Sequence, residues 1–451
     1  MNRRPIAALL LAALASAPAG AYPVDGYPST GISRLLAFDL AREGLLKRGT
    51  IKPGSLRRMD EVRLQLRGEK GFSLPRPDAA FSAELRELLG ADAPAYGIAV
   101  LDLSDPDQPL YAEQNGSRAQ LPGSVGKIMV LLGWFQALAD LYPNDYAARN
   151  RVLRETIVTA NAFIHPDDHV VPIWHVGDPK LQRRSLVDGD QGNLWTWLDW
   201  MVSASSNAAG STVMAQLVLF KHYGKAYPVP EAEAQAWLAS APKSTLQSLL
   251  GDAMFRPIRR NGLDPSQLSQ GSLFTKEGKA RIPGGGGSTS TPRELLHYLV
   301  LMEQGRLVDE WSSLQIKRLL YLTDIRIRYA SQPALDDSAV YFKSGSLYAC
   351  RPEPHFACDK YKGNVKNLMN SIAVVESEEQ GQSLHYLVAV LSNVLRKDSA
   401  EEHQALALRI HRLIELRHGL AQRAAGGDIA PVYEQKGGLD VSIPEPAKPR
   451  P

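Results

Sequence analysis

The sequence has 451 residues, of which 44% are hydrophobic and 22% charged. These are the proportions of an ordinary soluble globular protein, in a chain long for one domain but short of three. The formal net charge is only +3, and basic and acidic residues are interleaved. This charge is too mild to indicate binding to nucleic acid or to a membrane surface, and we expect no nucleic-acid partner.

The first 21 residues predict a secretory signal peptide. Arg3 and Arg4 precede an apolar run over residues 6–17, and the Ala-Gly-Ala ending at Ala21 fits a small-x-small cleavage pattern. The run is too short for a comfortable membrane span, and an uncleaved anchor is the alternative. We therefore expect no stable membrane span and a periplasmic or secreted protein, cleaved near Ala21.

An extension over residues 22–85 follows, with helical apolar spacing that predicts packing on the main domain. A buried strand is then predicted over residues 96–103, with a partner strand over 109–113. A long apolar helix is predicted from Ser124 to about Leu141. Helices are predicted to dominate the middle of the sequence, after an irregular and polar stretch over residues 142–190.

The last third of the sequence returns to strands, predicted over residues 339–343, 371–375 and 384–390, before a final helix over 400–418. Strands thus occur at both ends with helices between them. The pattern predicts an α/β (α+β) domain, an antiparallel sheet flanked by helices with an inserted all-helical lobe. From residue 421 to 451 the chain is polar and then Pro-rich, which predicts a disordered tail.

Three short motifs occur in a fixed order: Ser124-Val-Gly-Lys127, Ser205-Ser-Asn207 and Lys343-Ser-Gly345. Positions i and i+3 share one face of a helix, so Ser124 and Lys127 are expected to be neighbours. A serine hydroxyl is a weak nucleophile and needs a base. Lys127 can serve if burial and neighbouring cations lower its pKa.

The other motif residues supply complementary groups. Ser205 can relay a proton to a leaving nitrogen, and Asn207 can bind an amide of the substrate. Lys343 adds a second cation, and Ser344 can hydrogen-bond a substrate carboxylate. Gly345 allows the strand backbone to come close to a ligand. Each motif alone also fits a structural role, as a helix start, a helix junction or a strand end.

The ordered set resembles the S-x-x-K, S-x-N and K-T/S-G motifs of serine β-lactamases and penicillin-binding proteins. The strand pair before Ser124, the Thr-Pro-Arg helix start at Thr291 and the Arg326-Ile-Arg328 run are similar to class A β-lactamases. The resemblance covers roughly residues 86–420, which it implies to be a β-lactamase/transpeptidase-like catalytic domain.

The resemblance also implies roles for particular groups. Ser124 would be acylated, and the backbone N–H groups of Ser124 and Ser346 would form an oxyanion hole. Arg326 would bind a substrate carboxylate, with a surface ion pair as the alternative. No cofactor is expected.

Two departures from the class A pattern bear on the chemistry. Ser206 stands where these enzymes usually have aspartate, whereas Ser344 in place of threonine keeps the hydroxyl. The Glu-x-x-Leu-Asn string of the class A omega loop is absent from the sequence. Glu277 lies in about the right region, but the residues around it do not match. The base that activates the deacylating water is thus either Glu277 or missing.

We therefore expect an exported serine hydrolase that acts on the amide bonds of β-lactams. Its partner would be a small molecule, and the protein would be a monomer. The alternatives are a D-alanyl-D-alanine carboxypeptidase or other peptidoglycan peptidase, whose partner is a stem peptide, and a non-catalytic penicillin-binding sensor domain. The layout favours the β-lactamase, and the missing omega-loop acid favours the peptidase.

Two further features of the sequence need an interpretation. Cys350 and Cys358 are the only cysteines, and export with close spacing predicts a disulfide, with two free thiols as the alternative. His165-Pro-Asp-Asp-His169, with His175 nearby, fits no zinc pattern, so we expect a polar loop and no metal.

Overall fold

A computed structural model describes residues 23–46, 57–323, 326–424 and 428–432. The predicted signal peptide and the tail beyond residue 432 lie outside the described residues.

The strands, in chain order, are β1 (Tyr96–Asp102), β2 (Leu110–Gln114), β3 (Ile157–Thr159), β4 (Val171–Ile173), β5 (Gln182–Arg184), β6 (Gln191–Asn193), β7 (Leu268–Ser269), β8 (Thr289–Ser290), β9 (Ala339–Ala349), β10 (Lys366–Glu379), β11 (Gln382–Asn393), β12 (Ala421–Arg423) and β13 (Ile429–Pro431). The α-helices are α1 (Tyr27–Thr30), α2 (Ser33–Arg42), α3 (Ala79–Leu89), α4 (Lys127–Leu141), α5 (Tyr146–Glu155), α6 (Leu194–Val202), α7 (Asn207–Tyr223), α8 (Glu231–Ser240), α9 (Lys243–Arg260), α10 (Lys276–Arg281), α11 (Pro292–Glu303), α12 (Glu310–Tyr321) and α13 (Ser399–Arg417).

The main sheet joins strands from the two ends of the described chain. Its five strands lie in the order β2-β1-β11-β10-β9, and every neighbouring pair is antiparallel. Tyr96 on β1 pairs with Ser392 on β11, and Lys343 on β9 pairs with Ile372 on β10. Because β9 is the edge strand, its outer side is free to border a cleft.

Helices cover both faces of this sheet. Side chains alternate between the two faces of a strand. On β1, Ile98 packs in a core with Phe81 of α3 and Leu406 of α13. Its neighbour Ala99 faces the larger core, which includes Ile128 of α4. The predicted antiparallel sheet flanked by helices, with a helical lobe inserted between β2 and β9, is confirmed.

The inserted lobe also contains short strands. Three two-stranded pairs form there, β3 with β6, β4 with β5, and β7 with β8. The region over residues 142–190, expected to be irregular, contributes α5 and the strands β3 to β5. The lobe is therefore mainly but not entirely helical, and these short strand pairs connect its loops.

The helix at the centre of the lobe is strongly apolar. Within the described residues, the stretch Gly123–Leu141 alone has the length and composition to cross a membrane, and 78% of the tested window is buried. Lys127 begins α4 and is fully buried together with most of the helix. A core helix of a folded domain has this composition.

The N-terminal extension is part of the main core. Ile32, Leu35 and Phe38 are buried with the lobe helices. Arg34 of α2 donates two hydrogen bonds to the carboxylate of Asp199 at 2.6 and 2.7 Å. A bidentate pair of this kind fixes the orientation of α2.

Two elements of the structure lie across the expected domain boundaries. The start of the catalytic region at residue 86 falls inside α3, which begins after the capping Asp78 and packs on the sheet. At the other end, β12 and β13 pair with each other within the stretch expected to be a disordered tail. Leu420 is buried in the core beside them.

Candidate active site

Ser124 lies in a short 3-10 turn, Gly123–Gly126, that leads directly into α4. Lys127, the first residue of α4, places its Nζ 3.0 Å from Ser124 Oγ. The same Nζ donates to the carbonyl oxygen of Ser205 at 2.6 Å and to Asn207 Oδ1 at 2.9 Å. The first two motifs therefore meet at the Lys127 amine.

Ser205 lies in the loop between α6 and α7 and has a left-handed backbone, with φ of 60°. A serine in this conformation persists only where its surroundings hold it. Its Oγ accepts a hydrogen bond from Lys343 Nζ at 2.8 Å. Asn207 begins α7, so a helix start fixes its position.

Lys343 and its two followers lie on the edge strand β9. The Lys343 side chain is buried, and its Nζ also donates to the backbone oxygen of Ser344 at 2.8 Å. Gly345 packs against the turn that carries Ser124. The absence of a Cβ atom lets the two backbones come this close. The backbone of Ser346 consequently reaches the Ser124 turn.

Two buried lysines share this small site. Burial lowers the pKa of Lys127 to about 7, although the Asp167 carboxylate opposes the shift. Burial, the Lys127 amine and Arg328 together lower the pKa of Lys343 well below its ordinary value. A substantial fraction of Lys127 is therefore neutral near pH 7 and able to accept a proton.

A cavity of about 600 Å³ opens in front of Ser124. The predicted residues that line it are Ser124, Ser205, Asn207, Lys343, Ser344, Gly345 and Ser346. Additional walls come from Arg328, Lys360 and Tyr361. The cavity is large enough for a drug-sized ligand and carries several cationic groups.

The sequence suggested Arg326 as the arginine of the site, but the arginine that lines this cavity is Arg328. Arg328 donates to Ser344 Oγ at 2.7 Å and to Ser346 Oγ at 3.2 Å. Arg326 is buried behind the strand, with Nη2 3.5 Å from the carbonyl oxygen of Val340. The difference arises at Arg328, whose left-handed backbone (φ of 58°) turns the chain. Nothing in an Arg-Ile-Arg run predicts that conformation.

Phe274 lies beside Lys127, in the part of the chain expected to carry an acid that activates water. Its ring centroid is 4.8 Å from Lys127 Nζ. The smaller cavity on this side of Ser124 is lined by neutral side chains and Lys279, among the described residues. Glu277 lies in α10 outside both cavities, and its backbone N–H donates to the carbonyl oxygen of His165 at 3.1 Å.

The glycine-rich segment that precedes α11 is well packed. A Cβ at Gly285 would meet Gly251 Cα of α9 at 2.6 Å, and one at Gly286 would meet the Phe255 ring at 2.6 Å. A run of glycines, taken alone, would predict a loose segment. They instead let the backbone pack closely on α9.

Cys350 and Cys358 form a disulfide in the loop between β9 and β10, with their Cα atoms 6.2 Å apart. The same loop carries Tyr361, whose ring centroid lies 4.5 Å from the guanidinium carbon of Arg328. The sequence indicated the disulfide but not the contact between this loop and the site.

The three histidines of the polar loop each contact a separate aspartate. His165 lies 3.0 Å from Asp188, and His175 lies 3.3 Å from Asp178. His169 Nδ1 lies 2.6 Å from Asp167. Ligand atoms of Asp167, Asp168 and His169 come within 4.8 Å of one another, but both oxygens of Asp167 already have hydrogen-bonding partners in His169, Ser206 and Ala208. Two other such sets in the described part of the chain are Glu303, Glu376, His385 and Glu379, His411, Glu415.

No protein-family profile matches this sequence, and no curated protein matches it. Solved structures are similar at low identity. PBP-A is 14% identical over 76% of this chain and 100% of its own, with a TM-score of 0.47. A β-lactamase from Sphaerobacter thermophilus is 14% identical over 75% and 98%, with a TM-score of 0.46. The TLA-3 extended-spectrum β-lactamase is 12% identical over 75% and 98%, with a TM-score of 0.48. These likenesses concern the fold.

Proposed function

We propose that this protein is an exported serine hydrolase that opens an amide bond through an acyl-enzyme at Ser124. The observation that carries the proposal is the meeting of all three motifs within hydrogen-bond distance. Lys127 Nζ lies 3.0 Å from Ser124 Oγ, and Lys343 Nζ lies 2.8 Å from Ser205 Oγ. These neighbouring groups would supply a nucleophile, a base and a proton relay at one site.

The proposed acylation step conserves every proton. Neutral Lys127 takes the hydroxyl proton of Ser124 while Oγ attacks the substrate carbonyl carbon. The developing oxyanion would be met by the backbone N–H groups of Ser124 and Ser346. As the C–N bond breaks, the leaving nitrogen takes a proton from Ser205. Ser205 is reprotonated from the lysines beside it, which leaves an ester on Ser124.

The substrate we propose is a β-lactam, which carries a carboxylate next to the scissile amide. Arg328, Ser344 and Lys343 supply cationic and hydroxyl groups on the side of the cavity formed by β9. Asn207 can bind an amide on the opposite side. A D-Ala-D-Ala peptide end has the same carboxylate and amide. Phe274 beside Lys127 favours this second substrate, because an enzyme that hydrolyses its penicilloyl ester slowly would be inhibited by penicillin, as a peptidase is.

The test is covalent labelling of Ser124. Intact-mass spectrometry of the full protein with a penicillin should show addition of one ligand mass, and peptide mapping should locate it on Ser124. Ser124→Ala should take no label. Labelling at another residue, or no labelling of folded protein by a penicillin or a fluorophosphonate, would overturn the proposal. Release of the hydrolysed penicillin over hours would indicate a hydrolase, whereas a label that is never released would indicate a sensor domain.

A further inference from the structure

The loop that precedes β4 brings an aspartate to the second motif. The side chain of Asp167 is only 4% exposed. Its Oδ2 accepts hydrogen bonds from Ser206 Oγ at 2.9 Å and from the Ala208 backbone N–H at 2.8 Å. Its Oδ1 lies 2.6 Å from His169 Nδ1. Three groups thus meet one buried carboxylate.

These contacts hold the start of α7. Ser206 caps the helix, because its Oγ accepts a hydrogen bond from the Ala209 N–H at 3.0 Å. Asp167 accepts the N–H of Ala208, which also lacks a partner within the helix. A negative charge at a helix N-terminus is also favourable. Ser205 and Asn207, which flank Ser206, therefore depend on Asp167 for their position.

Asp167 also counters the positive charge of the site. Lys343 faces Lys127 from β9, Arg328 lies beyond it, and His169 lies beside Asp167. Burial favours the neutral acid, but hydrogen bonds from His169, Ala208 and Ser206 outweigh it and hold the pKa of Asp167 below its ordinary value. Asp167 is therefore ionised, and its charge favours the protonated form of Lys127.

We propose that Asp167 is the positioning residue of the second motif and supplies, from a separate loop, the carboxylate that Ser206 lacks. In this role it orients Ser205 and Asn207 and sets a negative charge beside the base. The inference rests on the proposed acylation of Ser124. It also gives a function to the His165–His169 stretch, which the sequence suggested to be only a polar loop.

The experiment measures the second-order rate of Ser124 acylation by a penicillin between pH 5 and 9. In the wild-type protein the rate should rise with pH and level off above about 7, since Lys127 accepts a proton only when neutral. Asp167→Asn removes the negative charge that favours the protonated lysine. Its inflection should move to lower pH, and the plateau rate should fall about tenfold or more because Ser205 and Asn207 are displaced.

Two further variants make the result specific. Asp188→Asn makes the same change at another aspartate that contacts a histidine. Its carboxylate is 67% exposed and screened by water, and the variant should keep the wild-type inflection. Asp167→Asn/Ser206→Asp returns a carboxylate to the motif itself, where aspartate is a good helix cap. It should restore most of the rate and bring the inflection back toward 7.

The outcomes separate the two proposals. If the wild-type protein takes no label on Ser124, the proposed function fails. If it is labelled but Asp167→Asn keeps the wild-type inflection, the role of Asp167 is refuted and the function stands. Thermal melting checks folding of each variant. If Asp167→Asn does not fold, the test is made on the double variant Asp167→Asn/Ser206→Asp. An inflection of its acylation rate at a pH well below the wild-type value would contradict the inference.

Discussion

Gly345 packs so closely on Ser124 that a Cβ atom at position 345 would lie 2.5 Å from the Ser124 backbone nitrogen. The next atoms in its way are the carbonyl oxygen of Pro122 at 2.6 Å and the nitrogen of Val125 at 2.8 Å. All three are backbone atoms, so no flexible side chain can move aside. The contact sets the separation between β9 and the turn that carries the nucleophile.

Gly345→Ala should therefore impair acylation more than stability. Pushing β9 away from the turn displaces Ser346 relative to Ser124, and loss of one oxyanion donor costs about 10² to 10³ in rate. The measurement is the rate of penicillin labelling. Gly68→Ala is the control, since a Cβ there meets nothing within 4 Å. A wild-type labelling rate in Gly345→Ala would show that the close approach is not needed.

The acyl-enzyme should be long-lived. Phe274, which has no carboxylate, lies beside Lys127 where a base could activate the deacylating water. Loss of such a base slows deacylation about 10²- to 10⁴-fold. Penicillin hydrolysis should show a burst of one equivalent followed by slow turnover. Glu277→Gln should leave both phases unchanged, because Glu277 lies outside the cavities.

Placing an acid at position 274 tests the cause of this slow step. Phe274→Glu should speed release of the penicilloyl group at least about tenfold, whereas Phe274→Gln, of matched size, should not. The readout is decay of the acylated mass after excess penicillin is removed. Equal decay in the two variants, or steady turnover without a burst in the wild type, would count against a missing base.

The disulfide should matter for binding more than for chemistry. It closes the loop that holds Tyr361 over the Arg328 guanidinium. Cys350→Ser/Cys358→Ser should lower the free energy of unfolding by about 2 to 3 kcal/mol at most. The concentration of penicillin that half-saturates acylation should rise several-fold, with a smaller change in the limiting rate. Thiol counting on denatured, unreduced wild-type protein should find no free thiol.

Another buried lysine, Lys317, should be structural only. Its Nζ lies 2.7 Å from Glu303 and 2.6 Å from Glu376, and all three side chains are almost fully buried. Lys317→Met leaves two buried carboxylates without this cation and should cost about 3 to 5 kcal/mol in chemical denaturation. Lys397→Met removes a half-exposed partner of Asp92 and should change stability little. Folded Lys317→Met should still label at Ser124.

The motif residues could be placed from the sequence because their spacing is local. Ser124 and Lys127 are one helical turn apart, and the apolar run after them required a helix. The buried apolar run of β1 and the strands at both ends of the sequence likewise predicted the sheet. What the sequence left open depends on tertiary contacts. The pairing of Asp167 with Ser206 joins residues far apart in the chain, and neither side chain alone indicates the other.

The remaining differences have equally specific causes. Arg328 replaces Arg326 at the cavity through a left-handed backbone that arginine rarely adopts. The extension joins the core through Ile32 and Arg34, whose buried partner Asp199 lies in a distant helix. Glycines at 285 and 286 pack closely on α9, a contact that depends on the neighbour and not on the glycines.

The pairing of β1 with β11 has a consequence for the order in which the protein becomes reactive. A ribosome makes Ser124 and Lys127 early, but Tyr96 must await Ser392 before its strand has both neighbours. Lys343 and Gly345 also emerge late, on a strand held only through β10 and β11. An unfinished chain therefore contains Ser124 without the groups that surround it, and under the proposed function it would not react with a penicillin. Fluorescent penicillin would thus mark only finished, folded molecules, which makes it a direct probe of maturation in the cell.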